Sequence, residues 1–100
     1  MNDSLIHSTL PDEDLRDLVE LFVSELPQRI AECRDAFGAH NWERLRAAAH
    51  RLKGSAGSYG YPSISQAAME LETGIREQAP QPTIQEHLHA LAQLCDRARP

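Results

Sequence analysis

From Leu15 to Phe37 an apolar side chain returns at nearly every third or fourth position: Leu15, Leu18, Val19, Phe22, Leu26, Ile30, Cys33 and Phe37. A spacing that follows the turn of an α-helix puts all eight on one face and predicts a long amphipathic helix, whose apolar stripe must be covered by other elements. Its start is marked by Pro11 and the carboxylates Asp12, Glu13 and Asp14, which favour the positive end of a helix dipole, and Gly38 marks its end. Pro27 lies inside the stripe and removes one backbone donor, so a kink near Val23 to Pro27 is expected, with a break into two helices as the alternative.

Three more segments repeat the pattern. Asn41 is a good N-cap for a helix carrying Trp42, Leu45, Ala49, Leu52, Ala56 and Tyr59, which is expected to run to about Tyr59. Gly60-Tyr61-Pro62 breaks the chain. Ser63 and Gln66 then have capping-box spacing ahead of Ile64, Ala68, Leu71 and Ile75, with Pro62 in the first turn as the alternative start. Residues 79–82 contain two prolines and are not expected to be helical throughout, and Thr83 with Glu86 opens a last helix with the stripe Ile84, Leu88, Leu91 and Cys95. No segment alternates like a strand, and short connections make successive helices antiparallel neighbours. The expected fold is all-α: an antiparallel up-down four-helix bundle over about residues 11–98, within one domain spanning 1–100. Asp3 to Ser8 holds too few apolar residues to decide whether a short extra N-terminal helix exists.

A formal charge of −5 and a pI near 5.4 argue against nucleic acid as a partner, because phosphate affinity needs a basic face. No apolar run approaches the roughly 20 residues of a membrane span, and the N-terminus lacks a signal peptide's basic start and apolar stretch. A cytoplasmic monomer that does not bind membrane is expected. Cys33 and Cys95 lack CxxC spacing and are expected to be buried reduced thiols. His87 and His89 lie two apart on a helix, unlike an i, i+4 pair of metal ligands, and no metal site is expected.

His50 differs from the other four histidines in its surroundings. At about 100° per residue it points well away from Leu45 and Leu52 and lines up roughly with Arg46, Lys53, Gly54 and Gly57, so it should face solvent. Arg44, Arg46, Arg51 and Lys53 place four of the chain's ten basic residues in this stretch, and Lys53 is the chain's sole lysine. Its ammonium is a compact, mobile charge that can follow a phosphoryl group without imposing bidentate geometry; a plain solvated lysine is the alternative. Each of the two glycines costs about 1 kcal/mol relative to alanine inside a helix, and their smallness would leave the imidazole open to another protein, unless the helix simply ends at one of them.

The string His50-Arg51-Leu52-Lys53-Gly54-Ser55-Ala56, followed by Gly60 and by Leu71-Glu72, resembles the signature of the histidine-containing phosphotransfer (HPt) domain family. The likeness extends to Leu21-Phe22, Arg29 and Asn41-Trp42-Glu43, covers about Pro11 to Glu72 well, and continues through the last helix only as a pattern. Gly57, Tyr59 and Tyr61 depart from the more usual residues. The resemblance implies that His50 is the phosphorylated residue, that Lys53 lies by the phosphoryl group, and that Gly54 admits the partner. It further implies that Glu72 orients the imidazole from the neighbouring helix; Arg46 and Gly57 are expected in supporting roles from their alignment with His50.

Such a domain carries phosphate between the aspartates of response-regulator receiver domains, alone or with a hybrid histidine kinase as partner. It has no autonomous kinase or phosphatase activity, which fits the lack of a phosphate loop or nucleotide motif here. The chain then needs no cofactor, since the Mg²⁺ belongs to the receiver. Lys53→Ala is expected to slow transfer and to leave stability unchanged. Two other readings are an adaptor that binds receivers without carrying phosphate, and the phosphoacceptor region of a histidine kinase. The second usually has an acidic residue after its histidine, where Arg51 stands. A free-standing protein is expected, with a piece of a longer hybrid kinase as the alternative.

Overall fold

A computed structural model describes residues 4–100. Its helices are α1 (Arg16–Gly38), α2 (Trp42–Ser58), α3 (Pro62–Arg76) and α4 (Gln81–Asp96), joined by connections of a few residues into a four-helix bundle. The apolar stripes converge on one core, in which Phe22, Leu26, Cys33, Leu45, Leu52, Ile64, Leu71 and Leu91 are almost wholly buried. Cys33 and Cys95 are free thiols in this core, and burial is the main reason their pKa values rise to about 11 and about 12. The seam between α2 and α3 is the most extensive in the bundle.

The helix starts follow local chemistry, with two departures from expectation. Asn41 caps α2 as expected, its side-chain oxygen accepting from the Arg44 amide at 3.1 Å. In α1 the carboxylate run forms a 3-10 turn, Glu13–Leu15, with the Asp12 side chain accepting from the Asp14 amide, and the α-helix proper begins at Arg16. Helix α1 then continues through Pro27 to Gly38, so the two-helix alternative is excluded. The Ser63 capping box does not form. Pro62 occupies the first turn of α3 with Tyr61 as its N-cap, the position where proline's missing N–H has no helical partner to lose. For the same reason Pro82 sits in the first turn of α4, which begins at Gln81 rather than Thr83.

The N-terminal segment is not an extra helix. Ile6–His7 forms strand β1, pairing in parallel with β2, Ala98–Arg99, in the register Ile6↔Ala98 and His7↔Arg99; Asp3, at the start of that expectation, lies outside the described residues. These strands escape an alternation test because each has only two residues. The segment continues across the α2–α3 turn, where the Thr9 amide donates to the Gly60 carbonyl at 2.8 Å and the Ser8 hydroxyl donates to the Tyr59 carbonyl at 2.6 Å. Gly60 has φ +86°, and a Cβ there would lie 2.5 Å from Ser8 Oγ and 2.9 Å from the Leu10 nitrogen, so this position requires glycine twice over. From the other terminus the Arg99 carbonyl accepts from the Tyr61 hydroxyl at 2.6 Å, while the ring of Tyr61 lies in the core 5.6 Å from that of Phe22.

Candidate functional site

Helix α2 presents His50 to solvent, with 63% of its side chain exposed. Its inner ring edge is held from α3. Nδ1 lies 2.8 Å from Glu72 Oε2, and the other oxygen of the same carboxylate, Oε1, accepts from Lys53 Nζ at 3.0 Å. One carboxylate therefore joins the two residues singled out on α2. Glu72 is the buried charged residue of the described chain, with 5% exposure, because its position on α3 faces the α2 seam. Burial alone would raise its pKa; the hydrogen bonds from Lys53 and His50 and the positive charge of Lys53 outweigh this and hold it below the usual glutamate value. Glu72 is thus a carboxylate at neutral pH, an acceptor only, and the hydrogen bond requires the proton to sit on Nδ1. The lone pair is left on Nε2, on the exposed edge of the ring.

The two glycines, which the spacing treats alike, differ. α2 runs through both, so neither ends the helix. A Cβ at Gly54 would meet nothing within 4 Å, and its smallness serves no internal packing. A Cβ at Gly57 would lie 3.4 Å from Ser65 Oγ on α3, so that glycine belongs to the helix seam. The basic cluster also divides. Arg51 points to α1 and pairs with Glu32 at 2.9 Å, whereas Arg46 is exposed and makes no side-chain hydrogen bond or ion pair among the described residues. The electrostatic partner nearest His50 is the negative Glu72 rather than a ring of cations.

Lys53 is not a fully solvated lysine. Its side chain is about one-third exposed and its ammonium satisfies a buried carboxylate, so the expectation that Lys53→Ala leaves stability unchanged is withdrawn. Tyr61 is core, with 0% exposure, and Met69 on α3 is exposed. Ser65, which the sequence did not single out, donates its hydroxyl to the Lys53 carbonyl at 2.8 Å. Among the described residues no group of three His, Cys, Asp or Glu side chains is placed to hold a metal ion, and no helix is long and apolar enough to cross a membrane.

An exposed imidazole with one nitrogen fixed as a donor and the other free is a nucleophile for group transfer, next to an ammonium that can meet negative charge. The model of the Hpt domain family matches residues 17–99, most of the chain and the whole of this site. The chain belongs to the Hpt domain family. Hpt domains serve as phosphocarriers in two-component phosphorelays, where they work with receiver domains and histidine kinases. The chain is also similar in fold to the crystal structure of the HPT domain from an Hpt sensor hybrid histidine kinase of Shewanella. That match has a TM-score of 0.62 and 21% sequence identity, covering 80% of this chain and 72% of the other. No curated protein matches the chain.

Proposed function

We propose that this Hpt domain carries a phosphoryl group on Nε2 of His50, taking it from the aspartyl phosphate of one receiver domain and passing it to the aspartate of another. The observation that carries the reading is the pinned ring: Glu72 holds the proton on Nδ1 and leaves Nε2 exposed with its lone pair. In the forward step the Nε2 lone pair forms a bond to phosphorus while the bond to the aspartyl oxygen breaks, and the aspartate leaves as a carboxylate. The ring keeps its Nδ1 proton and becomes cationic, a charge that the Glu72 carboxylate stabilises from behind. Lys53 offers its ammonium to the phosphoryl oxygens, and open space at Gly54 lets the receiver's backbone approach. The receiver's Mg²⁺ would supply the remaining charge stabilisation, so this chain needs neither a nucleotide site nor a metal of its own, nor kinase or phosphatase activity.

The test is transfer from a phosphorylated receiver to the purified protein and to His50→Gln. Wild-type protein is expected to acquire an acid-labile label and the variant none, with unchanged helical circular dichroism. A label retained by His50→Gln would move the chemistry elsewhere. A receiver that binds both proteins and labels neither would make the domain an adaptor.

A further inference from the structure

The seam between α2 and α3 contains a second polar contact besides the Glu72 fork, and nothing in the phosphoryl chemistry above uses it. The Ser65 hydroxyl donates to the Lys53 carbonyl at 2.8 Å. That carbonyl lies inside α2, where the helical ladder assigns one of its lone pairs to the Gly57 amide, so Ser65 takes the other. The same Ser65 oxygen would lie 3.4 Å from a Cβ on Gly57. Gly57 thus supplies the ladder's amide and leaves space for the incoming hydroxyl.

Ser65 and Glu72 are seven residues apart, two turns of α3, and so share one face. One meets the backbone of Lys53, the other its ammonium and the ring of His50. We infer that Ser65 is a positioning residue, which with Gly57 fixes how far α3 is slid along α2 and so holds the Glu72 carboxylate under Nδ1 of His50. With both oxygens engaged, a slide of α3 must be absorbed by the torsions of Glu72 or by its two hydrogen bonds, so the register of the helices bears on the grip on His50. The inference rests on His50 as the phosphoacceptor, but its first readout needs no phosphoryl donor.

The test compares wild-type protein with Ser65→Ala and Ser65→Thr, which loses and keeps the hydroxyl. Nitrogen-15 shifts of the His50 ring report which nitrogen holds the proton. Phosphoramidate then probes the ring without a docked partner: a bond forms from Nε2 to phosphorus, the P–N bond of the donor breaks, and ammonia leaves. In Ser65→Ala the Nδ1–H form is expected to lose population and labelling to slow roughly threefold to tenfold, the scale of one weakened hydrogen bond. Ser65→Thr is expected to restore both. A lower melting temperature in Ser65→Ala with an unchanged ring and rate would make the contact purely structural and overturn the inference. Wild-type protein that takes no label from either phosphoramidate or a receiver would overturn the phosphocarrier reading instead, and the ring shifts would still decide the role of Ser65.

Discussion

Helix α2 carries one ion pair on each flank, and the two have nearly the same length. Lys53 reaches Glu72 on α3 at 3.0 Å, and Arg51 reaches Glu32 on α1 at 2.9 Å. Distance does not distinguish them; water does. The Glu72 side chain is 6% exposed, while Glu32 is 35% and Arg51 59% exposed. On the α1 flank either partner can return to solvent when the other is lost, and such a pair contributes about 0 to 1 kcal/mol. On the α3 flank the carboxylate has no such retreat, so a missing donor leaves a desolvated charge. A cation paired with a glutamate at nearly the same distance is a surface ornament on one side and part of a fixed proton position on the other.

The sharpest way to break the comparison is to remove the cation from each flank in turn. Lys53→Ala is expected to lower unfolding free energy by about 1–3 kcal/mol, since Glu72 keeps only His50 as a side-chain donor, and to slow phosphoryl transfer. Arg51→Ala should cost less than about 1 kcal/mol. Urea titration of both variants measures the difference, and equal losses would show that burial of Glu72 does not separate the flanks.

Acidity gives the next largest effect. Glu72 has a folded-state pKa below its ordinary value of 4.5, so its contribution to stability is complete above that value and disappears as pH falls through the lower folded value. As pH falls below 4.5 the wild-type protein should therefore lose stability relative to Glu72→Gln. Denaturation midpoints across that range test it, and parallel curves for the two proteins would contradict the lowered pKa of Glu72.

The glycines give the smallest change. Gly54→Ala should stabilise the helix by about 1 kcal/mol, the propensity difference, because the methyl enters open space. Gly57→Ala should gain less because its methyl touches Ser65. Thermal melts rank the two, and the opposite order would place the crowded side of α2 at Gly54. Transfer from a receiver should nevertheless slow in Gly54→Ala, since the same open space is proposed to admit the partner.

Most of the bundle was legible because a helical period survives in the sequence wherever one face is buried. The period marks which face is apolar, not whether another element covers it: Leu18 belongs to the stripe of α1 yet remains 45% exposed. Proline both breaks helices and opens them, which is why α3 and α4 begin earlier than their capping residues suggested. At the site, local spacing brought His50 and Lys53 together but could not reach Glu72, twenty-two positions beyond His50 on another helix. Only the family resemblance named that residue, and only the fold shows its direction. Ser65 carried no signal by itself, being one serine among several. The unusual Gly57 was the available clue, but its partner becomes visible only once α2 and α3 are packed.

The pairing of β1 with β2 has a mechanical consequence. The strands run in parallel, with Ile6 beside Ala98 and His7 beside Arg99. Force applied outward at Ser4 and Pro100 would pull the two strands lengthwise past each other, loading their cross-links together in shear rather than peeling them one at a time. Those cross-links lead to the α2–α3 turn through Gly60 and Tyr61, ten and eleven residues beyond His50 and separated from it by roughly 12 Å of helix. Tension on the chain ends would therefore be borne first at one pole of the bundle, leaving the imidazole and its carboxylate at rest.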